Sequence, residues 1–210
     1  MAMKPGRAAR RRQRDRKALI AATCLVAALL SLAGLSLWLA GAGSPSRPAA
    51  TVGGPFALTG GDGRPVTDQS FRGKYLVIYF GYTACQDVCP TTLASLAAAL
   101  DRLGARAIQV QPVFITVDPR SDTPDVVRAY AASFTPRLIG LTGTPDQIAQ
   151  VAREYRVSSV VHHAGPEPGR YAVDHSSVLY LVGPDGRYIA PIRADESADA
   201  MARSIARYLS

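Results

Sequence analysis

Residues 75–90 read YLVIYFGYTACQDVCP, and this stretch predicts the arrangement around which the rest of the chain is built. Residues 75–80 form a short, nearly all-apolar block rich in β-branched and aromatic residues, which is typical of a strand covered on both faces. From 90 to 103, leucine and alanine recur at helical spacing, and proline is favoured at a first helical position. The stretch therefore predicts a buried strand followed by a helix, with Cys85 and Cys89 at the junction.

Both cysteines are thus expected near a helix N-terminus. Unpaired N–H groups and the positive end of the helix dipole favour thiolate over thiol at that position, and the thiolate is both the nucleophile and the metal ligand. At least one of the two thiols is therefore expected to have a pKa below the roughly 8.5 of a free cysteine. The spacing, with three residues between Cys85 and Cys89, is not that of thioredoxin-type exchange, and the pair is two ligands short of a structural zinc site. A metal site and a redox dithiol both remain open.

Four motifs resemble those of the SCO/SenC family and follow the family's order across residues 55–210. They are Phe80-Gly81-Tyr82-Thr83, Cys85-x-x-x-Cys89-Pro90, Val117-Asp118-Pro119 with Asp122-Thr123-Pro124, and Asp174-His175-Ser176-Ser177. The resemblance implies an α/β, thioredoxin-like domain that binds a copper ion, as Cu(I) or alternatively Cu(II), through Cys85, Cys89 and His175. It also implies one of two roles at the dinuclear copper site of cytochrome c oxidase subunit II, namely copper delivery or reduction of the acceptor's cysteines.

The net charge of +8 comes almost entirely from the N-terminal arm. Residues 1–17 contain eight Lys and Arg against Asp15 alone, a balance of +7, which leaves 16 basic and 15 acidic residues, or +1, in the rest of the chain. A nucleic-acid-binding domain would need a basic face of its own. Nucleic acid is therefore not an expected partner, and the arm is interpreted as an orientation signal beside an apolar segment.

That apolar segment, residues 18–40, has 23 residues without a charge and is long enough to cross a membrane as a helix. The basic arm of residues 1–17 places the N-terminus in the cytoplasm, and residues 41–54 are predicted to be a flexible linker to a domain of residues 55–210. The prediction is a single-pass protein of the bacterial inner membrane with its domain on the outer side. A signal peptide cleaved after Ala42 is the alternative. Cys24, inside the apolar run, is interpreted as an inert thiol.

Within the domain, the glycine-rich turn at 60–63 predicts an added N-terminal β-hairpin. Further strands are expected at 108–117, 138–141, 178–182 and 187–192, and further helices at 124–134, 145–155 and 197–209. Asp122 or Thr123 is predicted to cap the helix that begins at Pro124. His162 and His163 are predicted to lie in a loop, where solvated histidines are commoner than ligands, although a contribution to a metal site stays open.

Three acidic residues are expected to surround the site without binding the metal. Asp118 ends a strand on the side where the cysteine loop is expected, Asp87 lies between the two cysteines, and Asp174 precedes His175. Each is interpreted as a contact to a ligand or to a partner protein.

Two functional hypotheses follow. The first is a metallochaperone whose partners are oxidase subunit II or a similar copper acceptor, together with other copper carriers or thiol reductants. The second is an enzyme, a thiol-disulfide oxidoreductase that cycles Cys85 and Cys89 between dithiol and disulfide. Electron transfer by a blue-copper centre is disfavoured, because the only methionine of the domain is Met201 in the terminal helix.

Overall fold

The computed structural model describes residues 24–34, 36, 52–157, 160–163, 171–174 and 178–209. The chain divides into two units, Met1–Ala50 and Thr51–Ser210. In the first unit, residues 24–34 form a helix, α1, with exposed leucine and valine side chains. The predicted segment 18–40 extends beyond α1 in both directions, so the transmembrane helix stays a prediction.

Among the helices in the described residues, none combines the length and the apolar content that are needed to cross a membrane.

The second unit is built on a seven-stranded mixed sheet in the order β2-β1-β5-β4-β3-β8-β9, with β6 and β7 forming a separate antiparallel pair. The strands are β1 (Ala57–Gly60), β2 (Pro65–Thr67), β3 (Tyr75–Gly81), β4 (Val110–Thr116), β5 (Ile139–Thr142), β6 (Val160–His163), β7 (Tyr171–Asp174), β8 (Val178–Val182) and β9 (Tyr188–Arg193). The helices are α2 (Val88–Leu103), α3 (Pro124–Ala132), α4 (Pro145–Glu154) and α5 (Ala198–Ala206).

Strand β3 lies at the centre of the domain, parallel to β4 and antiparallel to β8. Alternate residues of β3 face opposite sides of the sheet: Val77 and Tyr79 pack with α2, α3 and α5, while Ile78 and Phe80 pack with α4. Because β4 is also parallel to β5, all three strands end at one edge of the sheet, and the antiparallel β8 begins there. The parallel strands therefore bring the cysteine loop and the loop after β4 to the same edge.

The helix starts follow the capping residues in the sequence. Thr144 accepts a hydrogen bond from the Gln147 N–H at 3.2 Å and the Gln147 side chain accepts one from the Thr144 N–H at 2.8 Å, so α4 opens with the predicted capping box. Ser197 caps α5 by a single side-chain hydrogen bond, which its hydroxyl oxygen accepts from the Ala200 N–H at 3.3 Å. Thr123 occupies the N-cap position of α3.

Most predicted elements are confirmed, with three differences. Helix α2 begins at Val88, two residues before Pro90, and residues 104–109 form a 3₁₀ helix, so β4 begins at Val110. The prediction of a loop at His162 and His163 is wrong, because both residues lie in β6 and pair with Ala172 and Tyr171 of β7. The added N-terminal hairpin is confirmed as β1 and β2, where Leu58 pairs with Val66.

Candidate metal centre

The two cysteines lie where β3 passes into α2, at the edge of the sheet where the parallel strands end. Gly81, the last residue of β3, allows this arrangement because it has no side chain. A Cβ atom added at Gly81 would lie 3.0 Å from the Cys89 Sγ and 3.1 Å from a ring carbon of Phe114. The Cys89 sulfur therefore packs directly against the strand backbone, and any residue other than glycine would displace it.

Cys85 presents its sulfur at the start of the helix. The Cys89 N–H, one of the helix's first N–H groups, donates a hydrogen bond to the Cys85 Sγ at 3.4 Å. The Cys85 N–H donates to the Tyr82 carbonyl at 3.3 Å, which closes the loop into a turn. Cys85 is half-buried and packs against the core that contains Cys89.

Cys89 differs from Cys85 because it is fully buried, with 0% of its surface exposed. Burial, followed by the hydrogen bond with Cys85, raises the pKa of Cys89 to about 12. The prediction that the helix N-terminus favours a thiolate is therefore wrong for Cys89, since removing the sulfur from water outweighs the helix dipole. The two cysteines are not joined by a disulfide, and Cys85 is the more exposed of the two.

Two tyrosine rings that were not predicted as site residues lie beside the sulfurs. Tyr79 of β3 is fully buried, and its pKa is raised by burial first and by the charge of Cys89 second. Tyr130 of α3 packs against Phe114 at 5.2 Å between ring centroids, and burial, followed by the charges of Cys89 and Cys85, raises its pKa. Both phenols remain protonated, so they line the site as neutral groups. The sequence does carry a signal for Tyr79: side chains alternate along a strand, so Tyr79 is expected on the same face of β3 as Val77, the face that α2 covers.

A third unpredicted contact reaches the cysteine loop from the segment after β4. The Asp122 carboxylate is 1% exposed and accepts hydrogen bonds from Thr83 and Thr116. The sequence indicated only a helix cap at Asp122 or Thr123, and the structure divides that role, with Thr123 at the N-cap of α3 and Asp122 turned toward the cysteine loop.

The acidic residues predicted around the site fall in different places. Asp118 is half-buried at the carboxyl end of β4, on the predicted edge, and its N–H donates to the Thr116 Oγ1 at 2.9 Å. Asp87 is exposed and precedes α2, where its side chain makes no capping hydrogen bond. Asp174 is the last residue of β7, paired with Val160.

His175 lies outside the described residues, so its role as a metal ligand stays a prediction. The chain nevertheless returns close to the cysteines just after it, because Leu179 of β8 pairs with Tyr79 of β3 and Val178 therefore lies at the edge where β3 ends. Within the described part of the chain, no three His, Cys, Asp or Glu side chains are grouped as a metal site would need.

An open groove of about 540 Å³ lies beside the first turn of α2, the helix that carries Cys89. One wall is the first turn of α2, and the other is formed by the start of β8, the end of β9 and the two residues that follow it. The lining residues are Asp87, Val88, Thr91, Thr92, Val178, Arg193, Ala194 and Asp195. On the rim, Arg193 and Asp195 form an exposed salt bridge at 2.5 Å. The start of α2 is therefore accessible to solvent on the side that faces β8.

Taken together, the site offers two thiol sulfurs at one helix start, one accessible and one buried. Soft sulfur ligands of this kind suit Cu(I), and two thiols so close also suit a disulfide. The geometry of the described residues is compatible with both chemistries.

Comparison with known proteins selects a family. A family model described as SCO1/SenC matches residues 44–210. The mitochondrial SCO1 homolog 1 of Arabidopsis thaliana is 41% identical over 164 residues, which cover 78% of this chain and 48% of that protein. The chain thus spans about half the length of that relative.

Two solved structures extend the comparison. Bradyrhizobium japonicum ScoI with copper bound is 42% identical, with a TM-score of 0.69, and the match covers 76% of this chain and all of that one. BsSco, described as a Sco-family cytochrome c oxidase assembly protein with a disulfide switch, is 26% identical with a TM-score of 0.60, and the match covers 76% of this chain and 94% of that one. The predicted thioredoxin-like α/β fold is confirmed by these matches.

Proposed function

The chain belongs to the SCO1/SenC family, and on that premise we propose that it is a copper metallochaperone of cytochrome c oxidase assembly. Its domain, residues 55–210, would bind one copper ion as cargo and deliver it to the dinuclear copper site of oxidase subunit II or a similar acceptor. The observation that supports this most strongly is the placement of Cys85 and Cys89 at one helix start, joined by the hydrogen bond from the Cys89 N–H to the Cys85 Sγ. Copper-bound relatives with the same fold add to the case.

The proposed ligands are Cys85, Cys89 and His175. Two thiolates and one imidazole form a soft trigonal set that suits Cu(I). His175 is three residues from Val178, and three residues span at most about 10 Å, so the histidine is within reach of the edge where β3 ends. Tyr79 and Tyr130 would keep water from the buried side of the site.

Delivery would proceed by ligand exchange that begins at Cys85. Because Cys85 is half-buried and Cys89 is fully buried, an acceptor thiolate reaches the metal from the Cys85 side, and Cys89 is the last protein sulfur to leave. Asp87 and Asp118, at the same edge, are proposed as contacts to the acceptor.

The direct test is copper stoichiometry. Residues 51–210 are expected to bind one Cu(I) per chain under reducing conditions and almost none after oxidation of the two thiols, because a disulfide sulfur is a poor metal ligand. Copper and free thiol would be measured in the same samples. Equal copper content before and after oxidation would remove the cysteines from the proposed site.

The second candidate function is thiol-disulfide exchange with an acceptor's cysteines, and the unequal exposure of the two thiols favours it specifically. The Cys85 thiolate would attack one sulfur of an acceptor disulfide and release the other as a thiolate. Cys89 would then attack the Cys85 sulfur of the mixed disulfide, releasing the second acceptor thiol and leaving a Cys85–Cys89 disulfide. A partner thiol reductant would return the pair to the dithiol state.

We also propose that residues 18–40 anchor the chain in the inner membrane, with residues 1–17 in the cytoplasm and the linker of residues 41–54 leading to a domain outside. The support is the 23-residue uncharged run beside an arm of net charge +7. A C-terminal alkaline phosphatase fusion is expected to be active, and the full chain is expected to stay in the membrane fraction after carbonate extraction. Recovery of a soluble form that begins after Ala42 would instead identify a cleaved signal peptide.

A further inference from the structure

We propose that Asp122 is a positioning residue that holds the cysteine loop, residues 82–87, in the conformation in which Cys85 and Cys89 act together. The inference rests on the proposed function of the two cysteines and adds a residue that does not itself bind the metal. Asp122 lies in the segment after β4. It contacts the cysteine loop at Thr83, which is 39 positions earlier in the sequence.

The contact consists of three hydrogen bonds to one buried carboxylate. Thr83 donates twice, from its N–H to Oδ2 at 3.0 Å and from its hydroxyl to Oδ1 at 2.5 Å. Thr116, the last residue of β4, donates its hydroxyl to Oδ2 at 2.5 Å. Asp122 is 1% exposed and Thr116 is 0% exposed, so water does not compete for these groups.

The segment that carries Asp122 is itself fixed to the end of the sheet. The Asp122 N–H donates to the Asp118 carbonyl at 3.0 Å, which folds residues 118–122 into a turn that directs the carboxylate back toward β3. The Val117 N–H donates to the Gly81 carbonyl at 2.8 Å, so the two loops are already adjacent where they leave β3 and β4. Asp122 thus attaches the cysteine loop to a rigid support.

Hydrogen bonding has to stabilise this carboxylate, because within the described part of the chain Asp122 makes no salt bridge. A buried charge without a cation is costly unless its oxygens accept hydrogen bonds. All three donors belong to Thr83 and Thr116, and Thr83 supplies two of them. The same bonds that satisfy Asp122 therefore determine the backbone position two residues before Cys85.

The hydrogen bonds of Asp122 matter more for the position of Cys85 than for that of Cys89. Cys89 is packed in the core beside Gly81 and Tyr79, so its sulfur keeps its position without help from the loop. Cys85 is half-buried, and its position depends on the backbone between Thr83 and the start of α2. Loss of the Asp122 bonds would let this backbone move, which lowers the effective concentration of the Cys85 sulfur at Cys89 and at a shared metal.

The test compares variants of the full chain. Thr83→Val removes the hydroxyl donor but keeps the N–H and nearly the same volume, Thr83→Ser keeps the hydroxyl, and Asp122→Asn keeps the shape of the acceptor but removes its charge. Thr144→Ala is the matched control, since it removes the N-cap of α4 and lowers stability without touching the cysteine loop. For each variant we would measure the thermal midpoint, the Cu(I) affinity against a competing chelator, and the fraction of Cys85–Cys89 disulfide at a fixed glutathione ratio.

Thr83→Val and Asp122→Asn are expected to weaken Cu(I) binding and to shift the disulfide equilibrium toward dithiol, each by about fivefold, while Thr83→Ser stays within twofold of the parent. Thr144→Ala is expected to lower the thermal midpoint with both thiol measurements unchanged. The proposal is wrong if folded Thr83→Val matches the parent in both thiol measurements, or if Thr144→Ala shifts them as much. Absence of Cu(I) binding by the parent chain would reject the proposed function, and the disulfide equilibrium would still decide the role of Asp122.

Discussion

Replacing Cys85 with serine is expected to weaken Cu(I) binding by at least about 1000-fold, which corresponds to roughly 4 kcal/mol. The reason is chemical: a thiolate is a soft anionic ligand that suits Cu(I), whereas a serine hydroxyl is hard and neutral at pH 7. Cys85→Ser is a cleaner test than Cys89→Ser, because Cys85 is half-buried and Cys89 is fully buried in the core. Affinity would be measured anaerobically by competition with a Cu(I) chelator.

The matched control for this variant is Cys24→Ser, which removes the third cysteine of the chain at an exposed position in α1. It is expected to leave Cu(I) affinity unchanged. If Cys85→Ser keeps its affinity within tenfold of the parent and remains folded, the metal is held elsewhere and the proposed ligand set is wrong. Near-ultraviolet circular dichroism of Cys85→Ser would establish that the domain keeps its tertiary structure.

The features that the sequence predicted well are those set by neighbouring residues. The apolar run of residues 75–80 and the leucine spacing after Pro90 indicate β3 and α2 without any long-range information. The capping box of Thr144 and Gln147 and the Ser197 cap are likewise local, because a cap bonds to N–H groups two or three residues away. Local chemistry is sufficient for elements of this kind.

Asp122 is different, because its role depends on a contact across 39 residues. A short polar residue before Pro124 favours a helix cap, and Thr123 does occupy the N-cap position of α3, although its side chain makes no capping hydrogen bond. Nothing in the local pattern indicates that Asp122 is buried and turned toward the loop after β3. The parallel pairing of β3 with β4 brings the two loops together, and the contact is visible only once the sheet is formed.

The acidity of the thiols could not be predicted for a similar reason. The sequence locates the helix start, which favours a thiolate, but it does not give the depth at which each sulfur lies. For Cys89 the surrounding core raises the pKa to about 12, so burial is the larger effect. The conformation of His162 and His163 also depends on tertiary structure. Their neighbours in sequence are typical of a loop, but pairing with β7 places both residues in a strand.

The replacement of His175 with alanine is expected to separate the two candidate functions. A Cu(I) site formed by Cys85, Cys89 and His175 loses one of three ligands, so binding should weaken at least about tenfold, or roughly 1.4 kcal/mol. A dithiol needs no imidazole to form a disulfide, so reduction and reoxidation of Cys85 and Cys89 should proceed much as in the parent. Cu(I) competition and disulfide exchange with glutathione would be measured on the same preparation.

In cells, the His175→Ala variant is expected to lower assembly of the copper-containing oxidase, and added copper should partly restore it, because mass action compensates a weaker site. His162→Ala and His163→Ala are the matched controls, since each removes an imidazole from β6; unchanged affinity in both would assign the third ligand to His175. If His175→Ala binds Cu(I) as tightly as the parent while oxidase assembly is lost, the histidine acts in docking or in thiol chemistry. The same two cysteines would then serve the acceptor as a reductant, with Cys85 as the attacking sulfur and Cys89 as the one that resolves the mixed disulfide.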